Sequence, residues 1–89
     1  MALTFPNNSR SYDETKHRIR FLGYDGMFEV KFFVEIDALS KAMHKVVAGE
    51  SALLEGFDSV RDDILDVAQQ AYSNGRGKTM YVLTPTDFN

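Results

Sequence analysis

The stretch Arg18-Ile19-Arg20-Phe21-Leu22-Gly23-Tyr24-Asp25-Gly26-Met27-Phe28-Glu29-Val30-Lys31-Phe32-Phe33-Val34-Glu35-Ile36-Asp37 decides the fold. In its second half, Phe28, Val30, Phe32, Val34 and Ile36 alternate with Glu29, Lys31, Phe33 and Glu35. Successive side chains of a strand point to opposite faces, so this period marks a strand with one buried face. In the first half, Ile19 and Phe21 alternate with Arg18 and Arg20. Gly23-Tyr24-Asp25-Gly26 separates the two runs and supplies turn chemistry. The reading is a hairpin, with one strand over 16–23 and a second over 27–36. If Asp25-Gly26 is a two-residue type I′ turn, the register follows. Tyr24 then faces Met27, Phe21 faces Val30 and Ile19 faces Phe32. The same register sets Arg20 opposite Lys31, a mildly unfavourable pair that Glu29 offsets from the diagonal.

Outward from the hairpin the pattern changes period. Leu3-Thr4-Phe5-Pro6 reads as a short extended piece, and 7–11 as turn material. Asp13-Glu14-Thr15 forms a further turn before the first long strand. After the hairpin, Asp37 is a candidate helix N-cap, and Leu39, Ala42, Met43, Val46 and Val47 follow helical spacing up to Ala48-Gly49. A second helical region begins near Glu50 or Ser51. Leu53, Leu54, Phe57, Val60, Ile64, Ala68 and Ala71 share its apolar face, with Gly56 a candidate break and Asp58 or Ser59 a candidate cap. Asn74-Gly75 ends the helical region, and 78–83 returns as a strand closed by Thr84-Pro85. The expected fold class is α+β: an antiparallel sheet of three to four strands, in the order hairpin, helices, final strand, with helices on one face. The pattern leaves open whether the final strand pairs with the first or the second hairpin strand.

Composition bounds the functions worth considering. Eighty-nine residues make one domain, 1–89, and a domain this small buries about 60% of its unfolded surface. Ten basic against thirteen acidic residues give a net charge of -3, against the usual balance of a general nucleic-acid binder. Without cysteine there is no disulfide framework, thiolate metal site or cysteine nucleophile. The first ten residues lack the apolar run of a signal peptide, and nothing approaches the ~20 apolar residues of a membrane span. A cytoplasmic protein with no membrane association is the expectation.

Three groups of residues carry a resemblance. The first is Arg18-Ile19-Arg20-Phe21-Leu22-Gly23-Tyr24-Asp25-Gly26, and the second is Phe32-Phe33-Val34-Glu35 with Asp37-Ala38-Leu39. Phe57-Asp58 with Arg61 and Ile64, then Ala71-Tyr72, complete the pattern. Together they resemble the small bacterial family catalogued as domain of unknown function 1488, over nearly the whole chain. The resemblance implies a compact single α+β domain of bacterial origin. It implies no activity and no catalytic residues.

The reactive residue types form no site in sequence. Gly75-Arg76-Gly77-Lys78-Thr79 looks like a phosphate loop, but the earlier glycine of that motif is replaced by Tyr72. The order of elements is also reversed, since a phosphate loop leaves a strand and opens a helix. His17 and His44 are too few for a zinc site. His17 is expected on the core-facing side of the first strand, near its end, and His44 near a helix C-terminus. Asp58, Asp62 and Asp66 fall on one side of a helix, with Asp63 beside them, and read as a solvated face. No catalytic residue, metal ligand or cofactor is expected, and an enzyme is the least favoured class.

The outer sheet face is more informative. Leu22, Tyr24, Met27 and Phe33 point away from the helices in the expected register, a candidate interface covered either by the N-terminal segment or by a second copy. Lys16, Arg18 and Arg20 make a basic stripe on the same face, and Arg76 and Lys78 extend it if the final strand lies alongside. Arg18, Arg20, Arg76 and Lys78, with Tyr24, are thus a candidate nucleic-acid patch. Two functions follow: a small non-enzymatic binding domain that pairs with itself or another protein, and, as the alternative, a nucleic-acid accessory module.

Overall fold

A computed structural model describes residues 3–6, 8–75, 78 and 80–88. The hairpin forms from β3 (Arg18–Asp25) and β4 (Phe28–Glu35). Two short strands precede it, β1 (Leu3–Thr4) and β2 (Arg10–Asp13), and both pair antiparallel with β3. Helices α1 (Ile36–Met43), α2 (Glu50–Ser59) and α3 (Arg61–Asn74) follow, then β5 (Met80–Leu83) and a 3-10 turn over Pro85–Asp87. The class is α+β. The sheet has five strands, more than the three or four expected, because 10–13 joins it instead of turning. The final strand pairs with β4 and runs parallel to it, which corrects the expectation of a wholly antiparallel sheet. The three helices form the crossover between those two strands, and a crossover of that length is what parallel pairing requires.

The hairpin register differs from the one expected. Asp25 pairs with Phe28, so the loop residues are Gly26 and Met27. Gly26 has φ +64°, and Met27 is not among the residues with positive φ. A positive φ at the first loop position alone is the pattern of a type II′ turn, not type I′. Pairing is therefore Phe21–Phe32, Ile19–Val34 and Gly23–Val30. Arg20 lies opposite Phe33 and Lys31 opposite Leu22, so no like-charge pair forms, and Glu29 lies opposite Tyr24. Both registers keep the same residues on the core face, because they differ by an even step.

Ile19, Phe21, Val30, Phe32 and Val34 are buried on that face with Tyr81 and Leu83 of β5. The helices cover them with Ala38, Leu39, Leu53, Phe57, Ile64 and Ala68. Phe32 is the hub: its ring stacks on Phe21 at 5.3 Å and on Tyr81 at 5.4 Å between centroids. Phe5 leans on both Phe21 and Phe32. Gly23 makes room for it, since a Cβ at that position would lie 2.8 Å from Phe5 Cε1.

The helix ends also depart from expectation. α1 starts two residues early, with Glu35 in the cap position and no side-chain cap, so Asp37 sits in the first turn. It stops at Met43, where His44 takes φ 60°, and Val46 is left 87% exposed. Gly56 lies inside α2, and the break falls at Val60. A Cβ on Gly56 would meet Met43 Sδ, so this glycine lets α1 and α2 approach closely. Asp58 consequently belongs to α2, and Asp62, Asp63 and Asp66 to α3. His17 falls in the β2–β3 turn with φ 53° and is exposed, not core-facing, because the strand begins one residue later.

Candidate interaction surface

All three helices and the aromatic core lie on one side of the sheet. The other side carries the alternate residues of each strand: Arg18, Arg20, Leu22 and Tyr24 from β3, and Glu29, Lys31, Phe33 and Glu35 from β4. Met80 and Val82 of β5 stand beside Lys31 and Phe33 on this outer face. The described residues of the N-terminal segment leave it uncovered. Leu3 and Phe5 turn to the helix side and pack against the core instead.

Of the four expected interface residues, Leu22 and Tyr24 are half-buried on the outer face and Met27 is 96% exposed at the hairpin tip. Phe33 is buried, because the Arg18 guanidinium lies 3.8 Å from its ring centroid. Phe28 adds an exposed aromatic at the tip, although its parity belongs to the core face. It is 78% exposed there. Met80 is also exposed.

Among the described residues, the basic side chains of the candidate patch are divided between β3 and the approach to β5, with β4 between the two strands. Arg18 and Arg20 share the outer face of β3, and Arg18 Nε lies 3.6 Å from Asp13 Oδ2. That separation is an ion pair without a hydrogen bond, and the Nε is buried with no hydrogen-bond partner. Asp13, Glu29 and Glu35 lie on the same face and oppose its positive charge. Lys78 is on the far side of β4 from β3, near the Tyr81 ring, because β5 pairs with β4. Arg76 lies outside the described residues.

The charged network with defined geometry is on the helix side and was not visible in the sequence. Arg10 of β2 makes two hydrogen bonds to the Asp58 carboxylate, Nε to Oδ1 at 3.0 Å and Nη2 to Oδ2 at 2.8 Å. Arg61 donates to Asp58 Oδ1 and to the Asn8 carbonyl. Slight burial pushes the Asp58 carboxyl up, but the hydrogen bonds and charges of Arg61 and Arg10 outweigh it and hold the group below its ordinary value. Arg61 is three residues from Asp58, a local spacing, but Arg10 is 48 residues away, so no local spacing signals its part.

A groove of about 450 Å³ between α1 and α3 is lined by Lys41, His44, Asp63, Asp66 and Phe88. Lys41 Nζ is committed to the Pro85 carbonyl. Among the described residues, no three His, Asp or Glu side chains are placed to hold a metal ion. No helix among them is long and apolar enough to cross a membrane. The Gly75 to Thr79 segment links α3 to β5, the helix-to-strand order read from the sequence. Residues 76, 77 and 79 lie outside the described set.

These features define a small α+β domain whose one open sheet face is mixed apolar and charged. The family model described as "Protein of unknown function (DUF1488)" matches residues 3–84, and the chain belongs to that family. No curated protein matches it. Among solved structures it is similar to the crystal structure of a protein of unknown function from the same family, from Shewanella loihica PV-4. The two share 13% sequence identity with a TM-score of 0.81, over 91% of this chain and 90% of that one. At that identity the likeness is one of fold.

Proposed function

We propose that this is a non-enzymatic binding domain that self-associates through the outer face of its sheet. One observation carries the reading: the segment able to shield that face, Leu3 to Phe5, is used on the opposite side. Leu22, Tyr24, Val82 and Met80 are then left without a layer over them among the described residues. A sheet in a small domain gains stability when its second face is covered. Two-fold pairs are the commonest way for a chain to cover itself. A cytoplasmic location and bacterial origin fit this reading and form part of the proposal.

The nucleic-acid alternative has less support. Arg18 is engaged by Asp13 and Phe33, and three carboxylates share the face with Arg20 and Lys31.

Sedimentation velocity of the wild type and Leu22→Glu tests the proposal. The new carboxylate would sit opposite Lys31 and suit the monomer, while a charge in an apolar contact opposes pairing. The expected result is a wild-type dimer and a variant shifted to monomer. A wild type that stays monomeric at high concentration overturns the reading.

A further inference from the structure

We infer that the free edge of β5 is a second contact, occupied by β5 of another copy running antiparallel to it. The inference goes beyond the outer-face proposal and does not depend on it.

The two edges of the sheet are unlike. On one side, β1 and β2 contribute two and four residues, and Pro6, Arg10 and Asp13 stand in or between them. Short strands, proline and charge are the usual protections of an edge. On the other side, Met80-Tyr81-Val82-Leu83 is as short as β2 but carries neither charge nor proline. Among the described residues, β5 pairs only with β4. Its backbone groups on the far side are a ready template for another strand. Tyr81 holds the edge in place by donating its hydroxyl hydrogen to the Gly75 carbonyl at the end of α3. This bond ties the strand to the helix layer before any partner arrives.

Charge selects the occupant. A groove of about 530 Å³ runs beside β5, lined by Ala71, Met80, Tyr81 and Val82, with Lys78 and Asp87 among its polar walls. Lys78 precedes the strand and Asp87 follows it. An antiparallel strand brought alongside must be negative after its C-terminal end to meet Lys78, and positive before its N-terminal end to meet Asp87. The β5 segment of a second copy has that pattern. A parallel copy would set Lys78 against Lys78 and Asp87 against Asp87. The self-complementary arrangement is the antiparallel one, related by a two-fold axis. Four residues a side make a small contact, below the usual size of a stable interface. It forms at high local concentration and lengthens the sheet without consuming the outer face.

Because the chain has no cysteine, one introduced thiol reports on contacts at its own position, and the outer-face pairing, which Val82 also borders, is separated by Leu22→Glu below. Val82→Cys is expected to form a disulfide-linked dimer on mild oxidation, since a disulfide requires Cα atoms within about 7 Å. An exposed control, Lys45→Cys, should not. Adding Lys78→Glu should slow the cross-link about tenfold, and Lys78→Glu with Asp87→Lys should recover it. Asp87 also accepts hydrogen bonds from Thr84, so the rescue has a second arm: high salt should slow the cross-link in the Val82→Cys protein with both charges native. Leu22→Glu should leave the cross-link unchanged, which separates this contact from the outer-face pairing. Cross-linking no faster than that of the Lys45→Cys control overturns the inference. So does a rate indifferent to both Lys78→Glu and salt.

Discussion

The guanidinium of Arg18 lies over Phe33, 3.8 Å from the ring centroid, although the cross-strand neighbour of Phe33 is Arg20 and that of Arg18 is Glu35. Arg18 reaches diagonally across the hairpin, and its own charge is met by Asp13 on β2. The outer face thereby hides its one full phenyl ring under a cation. This cover tunes how sticky the face is. Removing it with Arg18→Ala should expose Phe33 and tighten self-association. The lost cation–aromatic contact should lower stability by about 0.5–1 kcal/mol. Sedimentation equilibrium checks the first effect and a urea melt the second. Weaker association in the variant would mean that Arg18 itself makes the contact.

Gly23 gives a sharper test of the core. It sits opposite Val30 in the middle of β3, where most residue types are better strand formers. Its missing side chain lets Phe5, Leu3 and Phe32 close over the backbone, with a Cβ meeting them at 2.8, 3.1 and 3.2 Å. Gly23→Ala should push Phe5 off Phe21 and Phe32 and cost about 1–3 kcal/mol, the usual range for overpacking. Gly23→Ala with Phe5→Leu should recover part of the loss. Chemical denaturation of the single and double variants measures both. A neutral Gly23→Ala would mean that the N-terminal segment is not held on the core in solution.

The core was legible in the sequence, and the outer details were not, for one physical reason. Alternation in 18–36 assigns faces, and a face assignment survives a register change of an even step. Ile19, Phe21, Val30, Phe32 and Val34 therefore fall in the core under either turn, whereas Arg20 gains Phe33 instead of Lys31 as its partner. The turn type depends on which residue takes positive φ, and both Asp25-Gly26 and Gly26-Met27 contain a glycine able to do so. β2 was missed because Arg-Ser-Tyr-Asp has no apolar alternation beyond Tyr12. Its place is set by pairing with β3 and by Arg10 reaching Asp58. Leu22 and Tyr24 were read onto the face away from the helices, and they lie on that face. The burial of Phe33 rests on a diagonal contact that no spacing rule reports.

The Arg10–Asp58–Arg61 cluster should make stability depend on acid. The folded protein holds the Asp58 carboxyl below its ordinary value. In the acid range the unfolded chain therefore binds more protons at this group than the folded one, and stability rises with pH there. The contribution is complete above the ordinary carboxyl pKa and is lost as pH falls through the lowered folded value. The Asp58 side chain is 45% exposed, so solvent screening limits the effect to about 1 kcal/mol or less. Urea melts between neutral and strongly acid pH should show a shallower acid decline in Asp58→Asn than in the wild type. Equal slopes would show that the ion pairs seen on this surface contribute nothing in solution.

Tyr72 tests how far the helices govern the hairpin tip. Its hydroxyl donates to Asp25 Oδ2 at the end of β3, next to the exposed Met27 and Phe28, and its ring meets Tyr81 edge-on at 5.7 Å. Asp25 is thus anchored to α3 across 47 residues of sequence, and the type II′ turn is held from below. Tyr72→Phe keeps the ring contact and deletes the hydrogen bond. A hydrogen bond to a charged acceptor contributes about 1.5–3 kcal/mol, with partial exposure favouring the lower end. The loss should appear first at the tip, where few other contacts hold the chain. Amide hydrogen exchange should therefore quicken at 25–29 while the amides of Phe21 and Phe32 keep their protection. Exchange that quickens evenly through β3 and β4 would place the Tyr72–Asp25 bond in the global unfolding unit, and the tip would then be as rigid as the core it extends from.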